Sequence, residues 1–150
     1  MSLAFIDTNL LIYRRDPREP EKQRIAFAWI AALGRRRLGR LSWQVLQEFY
    51  EVATRKLASF GVTADLARLD VRLLSQWNPP EPDLAHFESA WSLADRHGFS
   101  WWDALIVAAA LRQECTLLLS EDLQHNLVVD NRLTIINPFA PDAPPPPAAS

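Results

Sequence analysis

Residues 5–9 read Phe5-Ile6-Asp7-Thr8-Asn9. Leu3 to Ile6 is a short apolar run of the kind that forms a buried strand. It stops at an acid followed by two small polar residues, and Leu10 to Tyr13 then opens a helix after Asn9. A strand that passes into a helix through a polar corner is the opening unit of an α/β domain. The corner raises a chemical question. A carboxylate beside a core costs free energy unless something offsets its charge. A helix N-terminus, a basic side chain or a metal ion could each do so.

Further along, the pattern alternates between helices and short apolar strands. Asp16 to Pro20 is a proline-broken loop. Glu21 to Leu33 carries Ile25, Ala28, Trp29 and Ala32 at helical spacing and stops at Gly34. Arg40 to Ser42 is a candidate strand, and Ser42 caps a helix running to about Ser59. Thr63 caps Ala64 to Trp77, with Leu66, Leu69, Leu73 and Leu74 expected to face inward. A very short strand is expected near Asp83, then a helix over Leu84 to His97 closed by Gly98. Ser100 caps Trp101 to Gln113, apolar nearly all round and therefore buried. Thr116 to Leu119 and Leu133 to Ile136 are strands. The domain is expected over 1–138, with 139–150 a Pro/Ala-rich disordered tail. Short strands separated by helices predict a parallel sheet, whose sites lie at the carboxyl ends of the strands.

Composition excludes several classes. The 150 residues are 49% apolar and 23% charged, as in a globular domain rather than a disordered chain. Sixteen Lys and Arg stand against eighteen Asp and Glu, so any nucleic-acid partner must be held by a local patch. The single cysteine, Cys115, forms no internal disulfide and no zinc spacing, which suits a reducing cytoplasm. No signal peptide or membrane-spanning run is read.

Four acids carry the chemistry. Asp7 ends the first strand, where it also reads as a helix N-cap. Glu48 lies at the border of the apolar stripe of its helix, whereas Glu51 falls in solvent. Asp103 stands three residues after Ser100, which is a capping-box spacing at the start of a buried helix. Asp122 follows the strand ending Leu119-Ser120, and its neighbour Glu121 is the alternative. Each has a structural explanation alone. Gathered at one sheet edge, carboxylates repel unless a cation sits among them. Hard oxygen donors without Cys or His suit Mg²⁺ or Mn²⁺. Such ions clamp phosphate oxygens and activate water for in-line displacement. Metal-dependent phosphodiester chemistry is the expectation. The D-x-D pattern of haloacid-dehalogenase-type phosphatases is absent from the first block.

Four blocks, FIDTNLLIY, SWQVLQEFY, SWWDALIVAAA and LLLSEDLQ, resemble in order those of PIN-domain proteins, most closely the bacterial VapC-type toxin ribonucleases. The likeness covers about Leu3 to Pro138. It implies a three-layer α/β/α sandwich with a central parallel sheet. It implies that Asp7, Glu48, Asp103 and Asp122 converge on Mg²⁺ or Mn²⁺, supported by Thr8, Asn9 and Ser120, to cleave RNA. It further implies a homodimer silenced by a small antitoxin. A position near Asn126 where relatives often have glycine, the bulky Trp101-Trp102 pair and the tail depart from the pattern. Arg14 and Arg15, just past the first acid block, are candidates to meet RNA phosphate, as is the cluster Arg35 to Arg37 with Arg40. A PIN-fold binding module without catalysis is the alternative.

Overall fold

The computed structural model describes residues 2–148. It is an α/β fold with a central, mostly parallel sheet flanked, among the described residues, by six helices. The chain runs β1 (Ala4–Ile6), α1 (Thr8–Arg15), α2 (Pro20–Arg36), β2 (Gly39–Arg40), α3 (Trp43–Lys56), α4 (Ala64–Leu74), α5 (Leu84–His97), α6 (Trp101–Arg112), β3 (Leu117–Leu119), β4 (Val128–Val129) and β5 (Leu133–Ile136). The sheet order is β2-β1-β3-β5-β4, with β4 alone antiparallel.

Register decides what meets at the sheet edge. β1 and β3 pair in parallel with Ile6 opposite Leu119. The next residues, Asp7 and Ser120, therefore emerge side by side at the carboxyl ends. The ladder continues one step beyond the strands. Asp7 N donates to Leu119 O at 3.0 Å, and Ser120 N donates to Ile136 O at 3.0 Å. The three central strands are almost wholly apolar, and α6 is buried from Ala104 through Leu111. Packing on both faces fixes the height at which the polar corner begins. At the opposite edge, Gly39 is needed for close approach, because a Cβ there would collide with the Trp77 ring.

Three local expectations need correction. Asp83 belongs to no strand; its Oδ1 accepts from His86 N at 2.9 Å and caps α5. The short strand β4 was not foreseen, because two valines give too short a pattern to read. In α4, Leu69 and Leu73 face solvent, with Leu73 54% exposed. Ala67, Asp70 and Leu74 are the buried set. The helix is turned toward Asp70 because two arginines of α1 reach it. Residues 139–148 form no helix or strand. Phe139 meets Tyr13 edge-on with ring centroids 5.1 Å apart, and Ala143 packs against the core. The tail's residues 149 and 150 lie outside the described residues.

Candidate functional site

Asp7 is both the end of β1 and the cap of α1. Its Oδ1 accepts from Thr8 N at 2.7 Å, and its Oδ2 accepts from Ser120 Oγ at 2.8 Å. The residue is only 8% exposed. Burial pushes its pKa up from 3.8 to about 6, against the two hydrogen bonds, which pull it down. The charges of Asp122 and Glu48 push in the same direction as burial. No Lys or Arg among the described residues acts on it to offset this.

The small polar residues tie the other acids to this corner. Thr8 Oγ1 donates to Glu48 Oε2 at 2.9 Å, so the first turn of α1 fixes a carboxylate on α3. Asn9 Nδ2 donates to Asp122 Oδ2 at 3.3 Å, and Asn9 Oδ1 accepts from Glu121 N at 3.4 Å. Ser120, fully buried, also accepts from Asp122 N and Leu123 N at 3.2 and 3.4 Å. One hydroxyl thus orients Asp7 and closes the turn that carries Asp122. His125 and Asn126 bond to Asp142, and His125 Nδ1 accepts from Asn137 N, so the following loop is fastened to the C-terminal segment.

Asp103 stands further off. Ser100 Oγ accepts from Asp103 N at 3.2 Å, but the reciprocal bond of a capping box is absent among the described residues. The carboxylate is therefore not consumed by the cap. Its helix is linked to the cluster through Gln44, whose Nε2 donates to Glu48 Oε1 at 3.1 Å and to Trp102 O at 3.3 Å. Asp7, Glu48 and Asp122 are brought together, with Asp103 on the neighbouring helix start.

Two further predicted groups are placed differently. Arg15 makes a two-pronged pair with Asp70 at 2.8 and 2.7 Å, and Arg14 reaches the same carboxylate at 3.4 Å. Neither lines the acid cleft. Arg37 and Arg40 line a separate cavity beside Trp77. The cleft itself, about 700 Å³, is bordered by Thr8, Asn9, Glu48, Asp122, Arg18 and Lys56. Arg18 and Lys56 were missed in the sequence, since their convergence depends on how α3 packs against the loop after α1. Arg18 lies over the Phe60 ring at 4.4 Å and pairs with Asp16.

Among the described residues, no three Asp, Glu, His or Cys side chains stand in ligating range of one point. The donor set nevertheless fits a hard divalent cation. It is all oxygen, like-charged and partly buried, and Asp7 is ionised at neutral pH only against its surroundings. A cation there would supply the missing compensation.

The family model described as PIN domain matches residues 4–129, from the first residue of β1 to the last of β4. No curated protein matches the chain.

Proposed function

This chain belongs to the PIN-domain family, a nuclease-type fold, and from that membership we propose that it is a metal-dependent endoribonuclease and the toxin of a type II toxin–antitoxin pair. The observation that supports this best is Asp7. It is a buried carboxylate beside two more acids, without a cationic partner among the described residues, at the carboxyl ends of parallel strands. Asp7, Glu48, Asp103 and Asp122 would hold Mg²⁺ or Mn²⁺. When bound, such an ion supplies charge neutralisation at phosphate oxygens and a lowered pKa for water.

The chain's own residues do the positioning. Ser120 and Thr8 N hold Asp7, Thr8 Oγ1 and Gln44 hold Glu48, and Asn9 holds Asp122. Arg18 and Lys56, at the cleft wall, would meet the RNA backbone in place of Arg14 and Arg15, which do not line the cleft. A homodimer, a cognate antitoxin and a cytoplasmic setting complete the proposal. Among the described residues no helix is long and apolar enough to cross a membrane.

The test is cleavage of a mixed tRNA and rRNA pool with Mg²⁺, Mn²⁺ or EDTA, beside Asp7→Asn. Cuts should require metal and fall by about a hundredfold or more in the variant, since even outer-shell losses cost 10–100-fold. A folded, antitoxin-free protein that makes no metal-dependent cut would turn the assignment to a non-catalytic binding module.

A further inference from the structure

Next to the acid cleft lies a second cavity of about 470 Å³, between the starts of α3 and α6 and the approach to α5. Gln47 borders both cavities, so the two are neighbours that share a wall residue. The second one has aromatic walls: Trp43, Phe87 and Trp102. Trp102 is 64% exposed, although it stands just before a stretch of the same helix that is buried from Ala104 through Leu111. Packing does not explain a large indole facing solvent at that point.

The polar lining is equally specific. Gln44 spends its amide nitrogen on Glu48 and the Trp102 carbonyl. Gln113 spends its own on Leu41 O and Ala109 O, at 3.0 and 3.2 Å. Both amides are thereby fixed, and their oxygens remain as acceptors without a protein partner among the described residues. Two more wall residues carry unpartnered buried polar atoms, Trp43 Nε1 and His86 Nδ1. Unsatisfied buried polar groups are rare and call for a cause.

We propose that this cavity receives an unpaired nucleobase of the RNA strand, the one flanking the scissile phosphate, stacked on Trp102. Single-stranded RNA is recognised by splaying bases onto aromatic faces and hydrogen-bonding their edges. A cavity with aromatic walls and fixed amide acceptors provides both. Its link through Gln44 to Glu48 places it within reach of a nucleotide whose phosphate lies in the acid cleft. An apolar protein segment would also cover indole surface, but would leave the amide oxygens and the adjacency to the acids unused. The proposal rests on the nuclease assignment for its geometry, and its test is a binding measurement that does not need cleavage.

The measurement uses the full chain carrying Asp7→Asn, so that RNA survives. A labelled single-stranded RNA of mixed sequence, on the order of ten nucleotides, is titrated by anisotropy. An abasic ribose-phosphate strand of equal length is the control for backbone attraction. Adding Trp102→Ala should weaken RNA binding about 5- to 150-fold, the range that losing one base–aromatic stack covers. Trp102→Phe should keep most of the affinity, and the abasic strand should bind all three proteins alike. Trp102 is exposed, so the thermal midpoint should not move. RNA affinity unchanged within about twofold in Trp102→Ala overturns the proposal. So does an equal loss for the abasic strand. A change in sedimentation with RNA binding intact also overturns it and makes the surface a protein contact. Base-dependent binding without cleavage by the parent protein would remove the nuclease and keep the pocket; cleavage indifferent to Trp102 would do the reverse.

Discussion

Asp7 and Asp70 are both buried aspartates, 8% and 2% exposed, and both contact α1. Asp70 reaches inward from α4 and is met by Arg15 in a two-pronged pair and by Arg14 at 3.4 Å. Asp7 is met by two hydrogen-bond donors and by two other acids. One charge is answered within the protein, and the other meets no cationic partner among the described residues. The difference teaches how to separate a structural buried acid from a functional one. Burial alone does not do it, whereas the sign of the surrounding charge does.

If that distinction holds, the two residues should fail in opposite ways. Asp70→Ala leaves two arginines facing an apolar gap, and breaking a buried pair from one side costs about 3–5 kcal/mol. Arg15 is partly exposed, which places the expectation at the lower end. Urea unfolding should show the loss, while the folded fraction should cut RNA at the parental rate. Retained stability would mean that α4 is held by its apolar contacts alone.

Asp7 should do the reverse. Its pKa is raised from 3.8 to about 6 on folding, so the folded protein holds a proton that the unfolded chain has lost between those values. Stability from this group is complete below pH 3.8 and is lost as pH rises through about 6. The penalty at pH 7 is about 3 kcal/mol. Asp7→Asn should therefore be more stable than the parent by up to about 3 kcal/mol at pH 7 in EDTA, with the gap closing toward pH 4. Mg²⁺ should stabilise the parent and not the variant. Denaturant melts at the two pH values check both points.

Ser120 sharpens the comparison further, since its hydroxyl is the strongest bond holding Asp7 down in pKa. Ser120→Ala removes that bond and leaves Asp122 N and Leu123 N without an acceptor. The expected cost is about 1–3 kcal/mol, with the pH slope of stability extending upward. An unchanged slope would show that solvent, not Ser120, governs Asp7.

Much of this was readable in the chain. The strands at 4–6 and 117–119 are marked by short apolar runs, and their carboxyl ends by Asp7 and Ser120. Ser42, Thr63 and Ser100 all cap as their spacing predicts, because capping is local chemistry. What was not readable depends on partners distant in sequence. Leu69 and Leu73 follow a helical stripe, yet the rotation of α4 is set by Arg14 and Arg15, more than fifty positions away. For the same reason Arg14 and Arg15 looked like cleft residues, while Arg18 and Lys56 line the cleft. The exposed Trp102 was hidden by an apolar helix start that reads as core.

Glu121 offers the smallest effect and the finest test. It sits beside Asp122, and the sequence does not say which of the two serves the site. In the structure Glu121 accepts from Tyr13 OH at 2.7 Å and from Lys22 Nζ at 2.6 Å. Its charge is answered as Asp70's is, whereas Asp122 is held only by the neutral amide of Asn9. By the rule drawn from Asp7 and Asp70, the proposal assigns the functional role to Asp122 and a structural one to Glu121. The Lys22 pair is partly exposed, so Glu121→Gln should cost under about 1 kcal/mol and leave cleavage within about threefold. Asp122→Asn should instead fall to the level of Asp7→Asn. If Glu121→Gln is the variant that loses metal-dependent cleavage, Lys22 must release it when the ion binds, and compensation in the metal-free state would no longer separate structural from functional acids in this fold.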